Sequence, residues 1–320
     1  MQVFGPTVRF NVQCTPTRHS YEQFRDNWLL CERLGFDVAY STDHFVSVQP
    51  DNSVLEGPTV LSAMFAQTTR MRGGLMVAGN TFRNPGVLAK IATTLDHVSN
   101  GRFELGMGSG HTEIEHRQYN IPYYTQGTRL RMLGESIQIV RSLLTNEKTT
   151  FEGKYYQMVD AYCEPKPVQR PLPFLVGGIG EDLTMRVVAK SADIWNFWES
   201  PSAEVYAQKL VALQRHCDEV GRDPSEIRKS VHIKPVIGET EAEVKERAPS
   251  QPRARSFETC EQIAERLLDF VRLGLSDFVF MLDEPGDMRT LELLATRVAP
   301  HVRQEGARIL GDRLGSRTPV

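Results

Sequence analysis

The chain has 320 residues, of which 40% are apolar and 24% are charged, and this balance is typical of a folded protein with a sizeable core. Its 37 basic and 40 acidic residues give a net charge of −3, which argues against a nucleic-acid binder. No apolar run approaches the roughly 20 residues that a membrane helix needs, and we expect neither a signal peptide nor a membrane partner.

The first half of the chain alternates predicted strands and helices. A period-2 pattern predicts a strand, and a capping box at Ser20 and Gln23 begins a helix that ends at Gly35. The helix that begins at Pro85 is expected to bury one stripe of side chains. That stripe is predicted to contain Val87, Ile91, Leu95 and Val98. The predicted strands are 8–14, 36–41, 72–78 and 103–107, the predicted helices are 61–69, 85–98 and 130–144, and 45–57 is a long loop.

The second half continues the alternation after an interruption at 145–172, where glycine and prolines predict a hairpin and an extended connection. The predicted strands are 174–176, 193–197, 230–237 and 277–282, the predicted helices are 183–190, 203–220, 260–273 and 291–302, and 248–256 is a polar loop. Eight strand–helix units without a mid-chain linker favour an α/β fold, a (β/α)8 TIM barrel with insertions, over a doubly wound sheet. We expect one barrel domain over 1–304 and a frayed tail over 305–320.

In such a barrel, functional residues follow the carboxyl ends of the strands. After the second strand, His44 offers an imidazole that exchanges a proton near neutral pH, beside the carboxylate of Asp43. The alternative is that Asp43 satisfies loop amides and His44 is a packed side chain. After the third strand, Gly79 and Asn80 either turn the chain or let the backbone approach a flat ligand.

Glycine-rich segments follow the fourth and fifth strands. The run 106–110 is not a dinucleotide fingerprint, because the third glycine of that motif would fall on His111. It fits better as a loop whose amides meet phosphate or ring edges. The run 177–181 leads into a helix and is either an anion site or a flexible loop. After the sixth strand, Phe197 and Trp198 are either substrate wall or core.

Two histidines at 111–116 invite a metal interpretation. His111 and His116 are five residues apart, so they do not share a helical face, and the order of residues matches no zinc-binding helix. We therefore predict no metal and an ordinary charged helix start. Composition and spacing lead to a barrel with a phosphate-tolerant mouth and a candidate histidine, but they identify no reaction.

The sequence resembles the bacterial luciferase-like superfamily of flavin and deazaflavin oxidoreductases over roughly residues 8–282. The most specific stretches are NPGVLAKIATTLD at 84–96 and SNGRFELGMGSG at 99–110, with later matches at 175–180 and 192–196. The triplet Asp-His-Phe at 43–45, and Glu-His at 115–116 with Tyr-Asn-Ile-Pro at 119–122, resemble the coenzyme F420-dependent branch.

The resemblance implies a barrel mouth that holds coenzyme F420 or, alternatively, FMN. It implies that His44, with Asp43, lies against the cofactor ring and serves in proton transfer, and that the peptide between Met76 and Val77 is a cis bond in a bulge behind the ring. The implied cofactor-binding residues are Gln13, Met76, Val77, Ala78, Asn80, Gly108, Ser109, Gly110, His111, Gly177, Gly178, Gly180 and Glu181. The expected substrate pocket contains Phe45, Asn196 and Trp198.

We therefore expect an oxidoreductase that transfers a hydride between F420 and a small organic substrate. An FMNH2-dependent monooxygenase that uses O2 and a non-catalytic flavoprotein remain alternatives. Three positions depart from the family: His111 replaces Trp or Glu, Asn120 replaces Gly, and Val48 replaces a Trp of the sugar-phosphate-oxidising relatives. The last departure argues against a sugar-phosphate substrate.

Five scattered cysteines, none at Cys-x-x-Cys spacing, argue against a disulfide framework or a structural zinc site. We expect a cytoplasmic protein for this reason. Relatives often form homodimers, but nothing in the chain specifies an oligomeric state.

Overall fold

The computed structural model describes residues 7–47, 53–199, 202–251, 253–281 and 287–315. Its strands are β1 (Arg9–Gln13), β2 (Val38–Ser41), β3 (Arg72–Gly79), β4 (Phe103–Gly108), β5 (Thr149–Glu152), β6 (Gln157–Ala161), β7 (Phe174–Gly177), β8 (Ile194–Phe197), β9 (Arg228–Ile233), β10 (Pro235–Gly238), β11 (Ser256–Thr259) and β12 (Asp277–Met281). Eight of them close into a parallel barrel in the order β1-β12-β9-β8-β7-β4-β3-β2. The predicted TIM barrel is thereby confirmed.

Helices alternate with the barrel strands and surround them. They are α1 (Tyr21–Leu34), α2 (Gly57–Gln67), α3 (Pro85–Val98), α4 (Glu113–Gln118), α5 (Gln126–Thr145), α6 (Leu183–Ser191), α7 (Ala203–Val220), α8 (Glu241–Arg247), α9 (Cys260–Arg272), α10 (Met288–Leu293) and α11 (Ala299–Gly315). In the described part of the chain, no helix combines the length and the apolar character that a membrane span requires.

Local sequence signals position several of these elements as expected. The Ser20–Gln23 capping box begins α1, and Gly35 ends it with φ at +88°, a left-handed conformation that favours glycine. Helix α7 has the predicted bounds. Strands β5 and β6 form an antiparallel hairpin, which confirms the hairpin within 145–172.

The buried face of α3 differs from the prediction. Val87 and Val98 are 53% and 44% exposed, whereas the buried residues include Leu88, Ala89 and Ala92. Leu95 is buried as predicted, and Ile91 packs against the core from a half-buried position. The predicted stripe is therefore confirmed at its two middle positions and wrong at its two ends.

The predicted strand 230–237 is two strands. Strand β9 ends at Ile233, and β10 leaves the barrel to pair in parallel with β11 in a separate two-stranded sheet. The carbonyl of Lys234 accepts the backbone N–H groups of Arg255 and Ser256, which fixes this departure. The predicted polar loop 248–256 therefore ends in a strand that the sequence pattern missed.

The predicted frayed tail is helical as far as the structure describes it. Helix α11 continues to Gly315, and Ile309 and Leu310 pack against the core. Gly306 lies so close to the barrel that an added Cβ would come within 2.6 Å of Val8 Cγ2. These contacts explain the order beyond residue 304, where glycine and arginine content alone suggested fraying.

A buried charge cluster fills the amino-terminal end of the barrel. Glu104 Oε1 lies 2.6 Å from Arg9 Nη1 and 2.8 Å from Arg72 Nε, and its Oε2 accepts a hydrogen bond from Tyr40. Asp277 pairs with Arg9 and, at 2.9 Å, with Arg228. The cluster is defined by the residues Arg9, Arg72, Glu104, Arg228 and Asp277.

Candidate active site

A cavity of about 660 Å³ opens at the carboxyl-terminal end of the barrel. This volume is that of a small-molecule or cofactor site. Thirteen residues predicted to form the site line it: Gln13, Asp43, His44, Met76, Val77, Gly108, Ser109, Gly110, His111, Gly177, Gly178, Asn196 and Trp198. The barrel thus brings together residues from Gln13 to Trp198, which are far apart in the sequence.

The remaining predicted site residues lie beside the cavity instead of on its wall. Ala78 and Asn80 are buried behind it. The ring of Phe45 packs between Phe82 and Tyr119, with centroid distances of 4.6 Å and 4.9 Å. Gly180 and Glu181 precede α6, and the carboxylate of Glu181 pairs with Lys209. Val48, the position of the missing Trp, lies outside the described residues.

A bulge in β3 forms one wall. The pairing with β4 shifts register between Leu75 and Ala78, and the Met76–Val77 peptide is cis, as the resemblance implied. On the neighbouring strand, a Cβ added to Gly108 would come within 2.3 Å of Val77 Cγ2. Only glycine fits there without displacement of the bulge, so this wall has a smooth surface.

The imidazole of His44 is held by a carboxylate from α4. His44 Nδ1 lies 2.9 Å from Glu115 Oε2, and the Glu115 side chain is fully buried. Glu115 Oε1 accepts the backbone N–H groups of Phe45 and Val46 at 2.7 Å and 3.3 Å. The carboxylate therefore fixes both the histidine ring and the loop that carries it.

These contacts set the protonation of the pair. Burial by itself would lower the pKa of His44, but the hydrogen bond and the charge of Glu115, with a smaller contribution from Asp43, raise it above its ordinary value. Burial opposes ionisation of Glu115 as well, and His44 and the two amides nevertheless lower the pKa of that carboxyl. Both shifts favour an imidazolium–carboxylate pair.

Asp43 is held away from the imidazole that follows it in sequence. Its carboxylate accepts the Gly79 N–H at 3.0 Å and both guanidinium arms of Arg83 at 2.6 Å and 2.9 Å. Arg83 also pairs with Glu56, the N-cap of α2. These contacts match the alternative in which Asp43 satisfies loop amides and orders the loop.

A second network links β1, β3, β8 and β9. Gln13 Nε2 donates to the Met76 carbonyl at 3.2 Å, and Gln13 Oε1 lies 3.2 Å from His232 Nε2. His232 Nδ1 contacts Asn196 Oδ1 at 2.9 Å, and the Trp198 ring packs on the imidazole at a centroid distance of 4.5 Å. Burial, with the nearby Lys234, lowers the pKa of His232 to about 3, which favours the neutral ring, and a neutral ring donates to only one of these two amide oxygens.

Sequence reasoning assigned no role to two residues of this site. Glu115 was noticed only as part of a family stretch, and its pairing with His44 spans 71 positions. His232 lies inside a strand without any motif, and its contact with Gln13 spans 219 positions. Only the closed barrel brings these groups together.

The two histidines of 111–116 have separate environments. His116 is buried and contacts Thr81 Oγ1 at 2.7 Å and the Thr112 carbonyl at 2.8 Å, whereas His111 lines the cavity. Within the described ranges, no group of three or more potential ligands could hold a metal ion. The charged segment begins α4 at Glu113, as predicted.

Comparison with known proteins identifies the family of this chain. Residues 3–272 match the luciferase-like monooxygenase family. One relative, the F420-dependent glucose-6-phosphate dehydrogenase of Segniliparus rotundus, is 27% identical over 89% of this chain and 96% of its own.

Solved structures show the same fold at low identity. An F420-dependent secondary alcohol dehydrogenase, in complex with an F420–acetone adduct, has a TM-score of 0.81 and 17% identity, over 93% of this chain and 99% of its own. EDTA monooxygenase from Chelativorans sp. BNC1 has a TM-score of 0.81 and 16% identity, over 97% of this chain and 98% of its own. With its barrel, its bulge and the match over most of its length, the chain belongs to the luciferase-like monooxygenase family.

Proposed function

We propose that this chain is an oxidoreductase that transfers a hydride between coenzyme F420 and a small organic substrate. The observation that carries the proposal is the His44–Glu115 pair at the wall of the barrel cavity, because it places a proton-exchanging group beside a site of cofactor size. The names of the relatives support the choice of cofactor: the Segniliparus enzyme and several further curated relatives are named F420-dependent.

The residues of the cavity fit a flat cofactor that carries a phosphate. The smooth wall at Val77 and Gly108 suits an aromatic ring system, since a side chain at position 108 would occupy that space. Thr42 Oγ1, on the cavity wall, is buried and has no hydrogen-bond partner among the described residues, so it is available to a ligand. Gly177 and Gly178 line the cavity without side chains and leave room for a phosphate, although the Gly178 N–H itself donates to the Asn196 carbonyl.

Coenzyme F420, when bound, supplies two-electron hydride chemistry. The protein orients the reactants and moves the accompanying proton. The ring of His44 is fixed through Nδ1, which leaves Nε2 to give a proton to the substrate during reduction or to accept one during oxidation. Asp43 and Arg83 hold the loop that carries His44. In this role Asp43 is a positioning residue.

In this proposal the substrate lies beside Trp198 and Asn196 on the cavity wall, and the Phe45 ring packs against Phe82. The absence of Trp at position 48, where this chain has Val48, argues against a sugar phosphate as the substrate. We propose a cytoplasmic enzyme that forms a homodimer.

The proposal is tested by turnover with each cofactor and a panel of alcohols, ketones and enones. We expect loss of the deazaflavin absorbance with an alcohol, or its return with a carbonyl compound. His44→Gln should lower kcat by about 10²–10⁴-fold, because a positioned acid–base group contributes that much. The matched control is His301→Gln, which changes an exposed histidine of α11 and should leave the rate unchanged.

Two results would overturn the proposed activity, and a third would overturn the proposed role of His44. Oxygen-dependent product formation with reduced FMN, together with no reaction in the presence of F420, would make the chain a monooxygenase. Absence of turnover with either cofactor over the whole panel would favour a non-catalytic flavoprotein. Full activity of His44→Gln would remove His44 from the proton transfer.

A further inference from the structure

Two imidazoles from different loops face the same cavity. His44 follows β2 and His111 follows β4, and their rings are perpendicular, with centroids 6.1 Å apart. At this separation the two rings cannot form a direct hydrogen bond. Each nitrogen lies close to the centroid of its own ring, so the nitrogens of the two rings remain too far apart. The gap suits one water molecule or one substrate hydroxyl group between them.

The proton of His44 can leave in only one direction. Nδ1 is engaged by Glu115, whose side chain is fully buried and whose second oxygen accepts two backbone amides. The buried carboxylate therefore covers the Nδ1 side of the ring. The proton on Nε2 must therefore exchange through the cavity, where His111 is the second imidazole on the wall.

His111 has the properties of an intermediate proton carrier. It is exposed at the mouth, and within the described part of the chain neither of its ring nitrogens has a hydrogen-bond partner. Its backbone is fixed, since the Tyr123 hydroxyl donates to its carbonyl at 2.9 Å and Gly110 precedes it at φ +70°. A neutral imidazole accepts a proton at one nitrogen and releases one from the other.

The surrounding charges shift the pKa values of the two imidazoles in opposite directions. Partial burial and then the positive charge of His44 lower the pKa of His111. Glu115 opposes them by raising it, and Arg129 and His116 add small lowering effects. Glu115 and Asp43 face His44 and favour its charged form. Arg18 and Arg253 line the same cavity. His111 is consequently neutral under conditions in which His44 carries a proton.

We infer that His111 carries protons between His44 and solvent during turnover. The step rests on the proposed function, in which each hydride transfer moves one proton through His44. In the oxidation direction, the N–H bond at His44 Nε2 breaks as an N–H bond forms on His111, through one bridging water or hydroxyl, and the other His111 nitrogen then releases a proton to solvent. No electrons change hands in this relay, and it runs in reverse for reduction.

The first test needs no cofactor. Histidine ring resonances of the ¹³C-labelled protein are titrated against pH by NMR in the wild type, in His44→Gln and in His111→Gln. Loss of His44 should raise the pKa of His111, because the charge that opposes its protonation is removed. Loss of His111 should leave the pKa of His44 nearly unchanged, because His111 is neutral in the range where His44 titrates. Independence of the His111 pKa from His44 would overturn the inference.

The second test measures turnover in dilute buffer. His111→Ala should lower kcat by about 10²-fold with little change in KM, and free imidazole in solution should restore most of the loss. His301→Ala is the matched control and should respond to neither change. A rise in KM alone, or a lower kcat that imidazole does not restore, would make His111 a wall of the substrate pocket and overturn the relay. Wild-type turnover that depends on FMN would instead contradict the proposed function, so the two failures are distinguishable.

Discussion

The two ends of the barrel differ in how their charged groups are paired. At the amino-terminal end, Glu104 and Asp277 each bond two arginines of the buried charge cluster. At the carboxyl-terminal end, Glu115 fixes one nitrogen of His44, and the other nitrogen lines an open cavity. At the amino-terminal end both carboxylates are fully paired with arginines. At the carboxyl-terminal end one nitrogen of His44 stays free to exchange a proton.

This difference places the residues that stabilise the fold at one end of the barrel and the residues that exchange protons at the other. A buried ion network whose members are all paired costs much to disrupt, because removal of one partner leaves an uncompensated charge. A half-engaged histidine can change its protonation without loss of its anchor. We therefore expect substitutions at the amino-terminal end to change the free energy of unfolding, and substitutions at the mouth to change rate and cofactor affinity.

The largest expected effect on stability is that of Glu104→Gln. The glutamine keeps the shape of the side chain but leaves Arg9 and Arg72 without their shared carboxylate. We expect a loss of about 3–5 kcal/mol in the free energy of unfolding, measured by urea denaturation. Asp269→Asn, which changes an exposed partner of Arg272, should change stability by less than about 1 kcal/mol. Equal effects of the two substitutions would contradict the comparison.

The same carboxylate should produce acid sensitivity. Burial opposes its ionisation, but Arg9 and Arg72 outweigh that effect and lower the pKa of Glu104 from 4.5 to about 2. Because the folded-state pKa lies below the unfolded value, this contribution is present above about pH 4.5 and is lost as the pH falls toward 2. A shift of this size corresponds to roughly 3 kcal/mol.

Urea denaturation of the wild type and of Glu104→Gln between about pH 6 and pH 3 checks this sign. The stability difference between the two proteins should shrink as the pH falls, since the wild-type carboxylate becomes protonated only on unfolding. A difference that stays constant, or that grows in acid, would show that the charge of Glu104 is not what the arginines stabilise.

The smallest expected effect concerns the smooth wall of the cavity. In Gly108→Ala the new methyl group would meet Val77 Cγ2 at 2.3 Å, so the bulge must shift at a cost of about 1–3 kcal/mol. We expect cofactor affinity to fall by roughly tenfold or more. Gly134→Ala in α5 is the control, because its nearest neighbour would be 3.9 Å away, and it should be neutral or slightly stabilising. Equal F420 affinity of both variants would show that this wall does not touch the cofactor.

The sequence predicts what depends on local pattern. The strand–helix alternation led to the barrel, and the Ser20 capping box and the bounds of α7 followed from residues that are neighbours in the chain. Prediction from the sequence fails where packing between distant segments determines the structure. The rotation of α3 depends on which side chains fit the barrel, and the departure of β10 depends on hydrogen bonds from a segment about 20 residues further on.

The residues of the site also fall into those that local sequence predicts and those that it does not. The glycines and His44 could be found at strand ends, because a barrel collects its functional residues there. Glu115, His232 and Arg83 could not, since each depends on a partner that only the closed barrel supplies. Asp43 and His44 are adjacent in sequence, yet the structure gives them different partners, and no local pattern distinguishes the two.

The most direct test asks whether the barrel mouth is an F420 site. The purified protein is titrated with coenzyme F420 and with FMN, and binding is followed by fluorescence. We expect saturable binding of F420, little displacement of F420 by FMN, and unchanged F420 affinity in His301→Gln. Tight binding of FMN together with indifference to F420 would contradict the assignment.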